Sequence, residues 1–202
     1  LQLGNGGTSG SIVGNVTNNG TLAFDRSDSV SYGGTISGSG SVGQIGAGTT
    51  VLTGNNSYTG GTTISAGALQ LGNGGTSGSI VGDVTNNGTL AFDRSDAVSY
   101  GGTISGSGAV NQIGTGTTVL TGNNSYTGGT TISAGALQLG NGGTSGSIVG
   151  NVTNNGTLAF DRSDTVSYGG TISGSGAVNQ IGAGTTVLTG NNSYTGGTTI
   201  SA

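Results

Sequence analysis

The chain is built from an internal repeat that is nearly identical from copy to copy. The string TGNNSYTGGTTISAG occupies Thr53 to Gly67, returns unchanged from Thr121 to Gly135, and begins a third time at Thr189, where it continues to the last residue. The opening Leu-Gln-Leu likewise returns at Leu69 and at Leu137, so the second and third copies begin there. A sequence that repeats itself at a fixed long period is typical of solenoids, in which each unit stacks on the one before it.

The copies differ at only a few positions, and each difference exchanges small or polar residues. The exchanges are Asn15/Asp83/Asn151, Ser29/Ala97/Thr165, Ser41/Ala109/Ala177, Gly43/Asn111/Asn179 and Ala47/Thr115/Ala183. The large apolar residues do not vary, which indicates that they form a shared core and that the exchanged positions face solvent. We therefore predict one continuous solenoid of three repeats, 1–68, 69–136 and a shortened 137–202.

Composition narrows the fold class further. Of the 202 residues 48 are Gly and only 30% are hydrophobic, so a thick two-layer core is not expected. Disorder is disfavoured because Pro is absent and because β-branched and aromatic residues recur at regular intervals.

Charge and reactive side chains exclude several functions. Three Arg stand against seven Asp, for a net charge of −4, so the chain lacks the basic surface that binding to nucleic acid or to anionic lipid requires. Neither Cys nor His occurs, which excludes disulfides, the usual serine and cysteine triads, and nearly all transition-metal sites. No apolar run is long enough to span a membrane as a helix. Because the chain starts and ends within a repeat, we expect any targeting or anchoring segment to lie outside it.

Short apolar runs separated by Gly and Asn predict strands of three to five residues. Segments such as TLAF, SVSY and LQL alternate apolar with polar residues, and no helical stripe lasts ten residues. Strands this short can fill a core only if the chain coils and each strand pairs with its counterpart one turn later. We therefore predict an all-β fold, a right-handed parallel β-helix, with Gly and Asn supplying positive φ at the corners. Asn55 and Asn56 are expected to cap turns with their side-chain amides, and Tyr58 and Ile64 are expected to point inward.

The number of coils in each repeat is less well determined by the pattern. Nine apolar patches, one of them made of Ile12, Val13 and Val16, favour three coils of about 22.7 residues, whereas a recurring Gly-Thr pair would suit five smaller coils. With three coils, Phe24, Phe92 and Phe160 should stack in line about 14 Å apart, and with five coils about 24 Å apart.

The repeated string carries a family resemblance. The run GTTVLTGNNSYTGGTTISAGALQLG, from Gly48 to Gly72, closely resembles the autotransporter-associated β-strand repeat found in the passenger regions of bacterial type V secreted proteins. It matches in a G-x-x-x-L-x-G entry (Gly48 to Gly54), an N-x-Y-x-G-x-T turn (Asn56 to Thr62) and an A-G-x-L-x-x-G exit (Ala66 to Gly72). The resemblance covers a little over a third of each repeat. It implies the fold and the secretion route and leaves the activity open, because the family includes adhesins, aggregation factors, proteases and lipases.

The only charge cluster is the string DRSD, which occurs once in each repeat. The three copies are Asp25 to Asp28, Asp93 to Asp96 and Asp161 to Asp164. Paired carboxylates could cleave a glycan or bind Ca²⁺, but a solvated turn with a local Asp-Arg pair, worth less than about 1 kcal/mol, is the favoured interpretation. The Gly-rich string LGNGGTSGS lacks the Lys of a phosphate-binding loop and is interpreted as a corner. We predict no catalytic residue, no metal ion and no cofactor.

These observations favour a non-enzymatic, adhesive solenoid on the bacterial surface. Its expected partners are other copies of itself, side to side or head to tail, together with glycans or molecules of a host surface. A polysaccharide-active enzyme using the Asp25/Asp28 type of pair, and an ice-binding solenoid with Thr ladders, are the alternatives. Head-to-tail growth is expected because the Ala202 end would offer a matching strand edge to the Leu1 end of another molecule.

Overall fold

A computed structural model describes residues 1–201, and within that range every regular element is a β-strand. The first repeat contains β1 (Gln2–Gly7), β2 (Val16–Thr17), β3 (Thr21–Arg26), β4 (Ser29–Tyr32), β5 (Ile36–Ser37), β6 (Ser41–Gln44), β7 (Thr49–Leu52) and β8 (Thr62–Ile64). The second contains β9 (Ala68–Leu71), β10 (Val84–Asn86), β11 (Thr89–Phe92), β12 (Ala97–Tyr100), β13 (Ile104–Ser105), β14 (Ala109–Gln112), β15 (Thr117–Leu120) and β16 (Thr130–Ile132). The third contains β17 (Ala136–Gly143), β18 (Val152–Asn154), β19 (Thr157–Arg162), β20 (Thr165–Tyr168), β21 (Ile172–Ser173), β22 (Ala177–Gln180), β23 (Thr185–Leu188) and β24 (Thr198–Ile200).

The strands pair in parallel and form three long faces around a narrow interior. Face one follows the order β1-β3-β6-β8-β10-β13 and ends with β20-β23. Face two is a single eight-stranded sheet from β4 to β21, and face three begins with β2-β5 and continues as β12-β15-β17-β19-β22-β24. Single parallel bridges, Asn123↔Ser147 on face one and Asn55↔Ser79 on face three, carry each face across its gap between sheets. The predicted parallel β-solenoid is therefore confirmed. Ala202, the residue expected to form the pairing end, lies outside the described residues.

Each coil passes once along all three faces and takes about 20 residues, the separation between Asn15 and its hydrogen-bonding partner Thr35 on the next coil. Along face two, for example, Thr50 pairs with Leu69, which pairs with Leu90 and then with Val110. The chain thus makes about 10 turns. Strands one coil apart are separated by about 4.8 Å along the axis.

The repeat is not a whole number of coils. Each repeat contributes ten segments: eight strands and two shorter stretches, which lie around Ile12 and Tyr58 in the first copy. One coil consists of three consecutive segments, one on each face. A repeat of ten segments is therefore three and one third coils, so every repeat begins one face further round the axis. Three repeats, about 10 turns, bring the pattern back to the face on which it started.

The predicted coil number was therefore wrong in both of its forms. Phe24 lies in β3 on face one, Phe92 in β11 on face two and Phe160 in β19 on face three, so the three residues do not stack in line. The error came from the patch Ile12–Val16, which was counted as one strand. A corner divides it, with Ile12 beside Tyr32 of β4 on face two and Val16 in β2 on face three, and Val13 at the corner is 96% exposed.

The interior is built of columns of single side chains, one from each coil. On face two the column contains, in register, Tyr32, Leu52, Leu71, Phe92, Gln112 and Ile132. All of these residues are buried. Tyr58 and Ile64, predicted to point inward, are both buried, and burial raises the pKa of Tyr58 to about 12. The core therefore runs the length of the solenoid with no break between repeats.

Asn and Gly build the corners by different means. Asn56 donates through Nδ2 to the backbone oxygens of Gly54 and Ser79, and its Oδ1 accepts from the backbone of Ile36, which confirms the predicted capping role. Positive φ occurs only at Gly among the described residues, so the expectation that Asn would also adopt it was wrong. Asn shapes a corner through hydrogen bonds, whereas Gly is needed where the backbone itself turns left-handed or closely approaches the next coil.

Candidate functional site

The charged corners are the strongest candidates for a site, and the second copy shows how they are built. The turn Asp93–Asp96 connects β11 to β12, and the Gly-rich loop Gly72–Gly78 of the preceding coil lies against it at the same edge. Two backbone hydrogen bonds join them, from the N–H of Gly74 to the oxygen of Asp93 (2.8 Å) and from the N–H of Ser95 to the oxygen of Gly75 (2.9 Å). We call this pair of segments the charged corner.

Arg94 holds the charged corner together. Its Nε and Nη2 donate to the two carboxylate oxygens of Asp96 at 2.8 and 2.7 Å, and its guanidinium also donates to the backbone oxygens of Thr76 and Gly78. The residue is only 8% exposed. A bidentate, partly desolvated pair is stronger than the solvated pair expected from the sequence. The predicted Asp-Arg pair is present in each repeat, but its arginine is a structural clamp for the loop rather than a surface charge.

The two carboxylates of a corner have different partners. Asp93 accepts from Nε2 of Gln70 at 3.0 Å, whereas Asp96 is paired with Arg94. The hydrogen bonds from Arg94 hold the pKa of Asp96 below its usual range, and the corresponding arginines lower the pKa of Asp28 and Asp164. A general acid for glycoside cleavage needs a raised pKa, so Asp96 is poorly suited to that role.

The three charged corners point in three directions. The first, at Asp25–Asp28, lies between faces one and two, the second between faces two and three, and the third, at Asp161–Asp164, between faces three and one. This follows from the one-face advance of each repeat, and it prevents the corners from combining into one site. Within residues 1–201 no group of three His, Cys, Asp or Glu residues is arranged to hold a metal ion. The same residues include no helix with the length and hydropathy needed to cross a membrane.

The chain therefore belongs to the structural class of parallel β-solenoids built from tandem, nearly identical repeats. Comparison with known families adds that the passenger-associated-transport-repeat model matches residues 44–71, 110–139 and 178–202, once in each repeat. The match overlaps the run Gly48–Gly72 from which the resemblance was drawn, and in the first copy it spans β7, the segment at Tyr58, β8 and β9. The resemblance to autotransporter passenger regions is thereby confirmed.

One curated protein with a similar sequence is itself an autotransporter adhesin. The chain is 60% identical over 42 residues to the adhesin BmaC autotransporter of Brucella suis biovar 1 (strain 1330). The matched stretch is 21% of this chain and 1% of that protein. The similarity therefore concerns the repeat unit and not the whole relative. No solved structure matches the chain significantly.

The Asp96–Arg94 pair leads to a prediction about pH. A carboxylate with a lowered folded pKa stabilises the fold above its unfolded pKa of about 3.9, and this contribution is lost as the pH falls through the folded value. We expect Asp96→Asn to speed hydrogen exchange of the Gly74 amide at neutral pH while leaving the global fold intact, and we expect the wild type to approach the variant in strong acid. The control is Asp83→Asn, because the other repeats carry Asn at that position. Equal protection in Asp96→Asn and wild type at neutral pH would contradict the clamp.

Proposed function

We propose that the chain is a structural and adhesive solenoid of the bacterial cell surface, a segment of an autotransporter-type passenger that associates with copies of itself. The observation that carries this proposal is the unbroken core, which makes a stiff rod about 48 Å long from about 10 turns. Support also comes from the repeat family, from the adhesin named among its relatives, and from carboxylates that are engaged as structural groups.

The outward positions of the strands suit side-to-side contact. On face two they are Gln70, Ala91, Asn111, Thr131 and Thr153, which are short or uncharged and follow one another in register. The three Arg and six of the seven Asp lie in the charged corners, so the flat faces between them carry almost no charge to repel a second copy. Many weak contacts multiplied along such a face give useful avidity.

End-to-end contact is the second mode that we propose for the 202-residue chain on its own. Its last coil leaves a cavity of about 340 Å³ lined by residues that include Phe160, Val178, Leu188 and Ile200. Between repeats, Leu69 and Leu71 stack on Thr50 and Leu52. Leu1 and Leu3 of a second copy have the same identity and spacing and would stack on Thr186 and Leu188, which are equivalent to Thr50 and Leu52.

Association can be tested on the purified chain. Light scattering should show particles that grow with concentration, and beads coated with the chain should clump and be dispersed by free chain. Asn111→Lys with Thr153→Lys, two coils apart on face two, should prevent clumping, while the matched Ser variants should not.

Ile200→Lys should stop end-to-end growth, while Val187→Lys, a charge on the side of the same region, should not. Dispersed beads and a strictly monomeric wild type at high concentration would refute the proposal.

A further inference from the structure

In every Asn-Asn pair of the solenoid, one side chain points inward and the other points to solvent. In the pair Asn18-Asn19 the first side chain is buried and donates through Nδ2 to the oxygen of Ser41, whereas the second is exposed. The pair Asn55-Asn56 does the same in reverse order, with Asn56 buried and Asn55 exposed. The buried member caps the corner from within, whereas the outward member faces solvent.

The outward Asn residues share a sequence context. Eight of them begin the tripeptide N-x-S/T with no Pro at the middle position, which is the acceptor motif for N-linked sugars. They are Asn15, Asn19, Asn55, Asn87, Asn123, Asn151, Asn155 and Asn191. All eight are exposed. By contrast, Asn5, Asn73 and Asn141 are exposed but are followed by Gly-Gly and lack the motif.

The hydrogen bonds of these side chains fix which amide atom faces solvent. Oδ1 of Asn15 accepts from the backbone N–H of Thr35 at 2.9 Å, and Oδ1 of Asn87 accepts from the N–H and hydroxyl of Ser107 at 3.1 and 3.2 Å. Seven of the eight are held in this way by the next coil. Because a backbone N–H can pair only with the amide oxygen, Nδ2 is the outer atom. No Nδ2 of these eight donates a hydrogen bond within residues 1–201.

We propose that these outward Asn residues are acceptors for N-linked sugars. The donor is a sugar whose anomeric carbon C1 carries a diphosphate leaving group. Nδ2 forms a bond to C1 as the C1–O bond to the diphosphate breaks, the diphosphate leaves with that electron pair, and the amide proton passes to a base of the transferase. Oδ1 keeps its bond to the next coil, so the product needs no change in the solenoid.

The acceptors are distributed around the rod, because each repeat begins one face further round the axis than the repeat before it. Asn15, Asn19 and Asn55 lie on or beside face three, those of the second repeat on face one, and those of the third repeat on face two. Asn15 and Asn55 are two coils apart, about 10 Å, so neighbouring sugars have separate space. The second repeat has one acceptor fewer, because Asp83 replaces the Asn found at Asn15 and Asn151.

The test is peptide mapping of the protein isolated from the bacterium that makes it. Cleavage after its three arginines gives peptides 1–26, 27–94, 95–162 and 163–202, which contain two, two, three and one acceptors. We expect sugar on these Asn residues, in numbers up to those counts, and none on Asn5, Asn73 or Asn141. Single-sugar increments would indicate a nucleotide-linked donor, and a constant oligosaccharide block a lipid-linked one.

Two variants isolate the role of the motif without disturbing the core. Thr153→Ala, at an exposed position, should remove the sugar from Asn151 while leaving that Asn in place. Asp83→Asn should raise the maximum for the peptide 27–94 from two sugars to three. Unmodified masses for all four peptides, or modification unaffected by Thr153→Ala, would overturn the proposal. The result is independent of the self-association proposed above, which is measured on unmodified chain.

Discussion

Gly102→Ala should destabilise the solenoid by about 3 kcal/mol, because its new methyl group would meet the backbone of the previous coil. A Cβ at this position would lie 2.0 Å from the oxygen and 2.7 Å from the carbon of Gly82. Both atoms are backbone and cannot rotate away, so two coils must separate and their ladder hydrogen bonds must lengthen. The expected result is a clear fall in the urea midpoint of unfolding.

The control for this change is Gly143→Ala, at the exposed end of β17. Nothing lies within 4 Å of a Cβ there, and the φ of Gly143 is not in the left-handed region. We expect a change within about 0.5 kcal/mol. Equal effects of the two substitutions would mean that the coils are not stacked as closely as the structure places them.

Tyr126→Ala should cost about 4 kcal/mol, the second large effect. The side chain is 0% exposed, and its hydroxyl forms a 2.6 Å hydrogen bond with the hydroxyl of Thr130. Removing the ring leaves a cavity in the interior column and a buried hydroxyl without its partner. Tyr126→Phe keeps the ring and should cost only about 1–2 kcal/mol, because it still leaves the buried hydroxyl of Thr130 without its partner.

Tyr194 provides the matched control, since it makes the same hydrogen bond, to Thr198 at 2.7 Å, in the last coil. It is only partly buried there, so Tyr194→Ala should cost much less than Tyr126→Ala. Chemical denaturation of the wild type and the three variants gives the comparison. A cost at Tyr194 equal to that at Tyr126 would contradict the view that burial in the column provides the stability.

The fold class could be predicted because its signals are local. Alternation within β3 and β4, the invariance of the large apolar residues and the Gly and Asn clusters all lie within a few residues of one another. The number of coils in a repeat could not be predicted, because it depends on one corner that the sequence pattern does not reveal. Val13 looks like a core residue in sequence, and only the three-dimensional path shows that the chain turns beside it and starts a tenth segment.

The charged corner could likewise be predicted only in part from the sequence. The pairing of Arg94 with Asp96, two residues apart, is readable from the string DRSD. The burial of Arg94 is not, because it depends on Thr76 and Gly78 of the preceding coil, 18 and 16 residues away. The inward or outward direction of each Asn in a pair also depends on the neighbouring coil. In both cases the missing information is the register between coils, which sequence periodicity alone leaves undetermined.

Cysteine cross-linking across the first repeat boundary tests whether a repeat spans three and one third coils. The chain has no Cys, and Val51 and Gln70 are register partners on β7 and β9. Their expected separation of about 4.8 Å suits a disulfide. Mild oxidation of Val51→Cys/Gln70→Cys should therefore give a disulfide, whereas Ala47→Cys/Gln70→Cys, the pair that coils of about 22.7 residues would bring together, should not. Efficient cross-linking of the Ala47 pair and none of the Val51 pair would mean that a coil takes about 22.7 residues and that a repeat spans three whole coils.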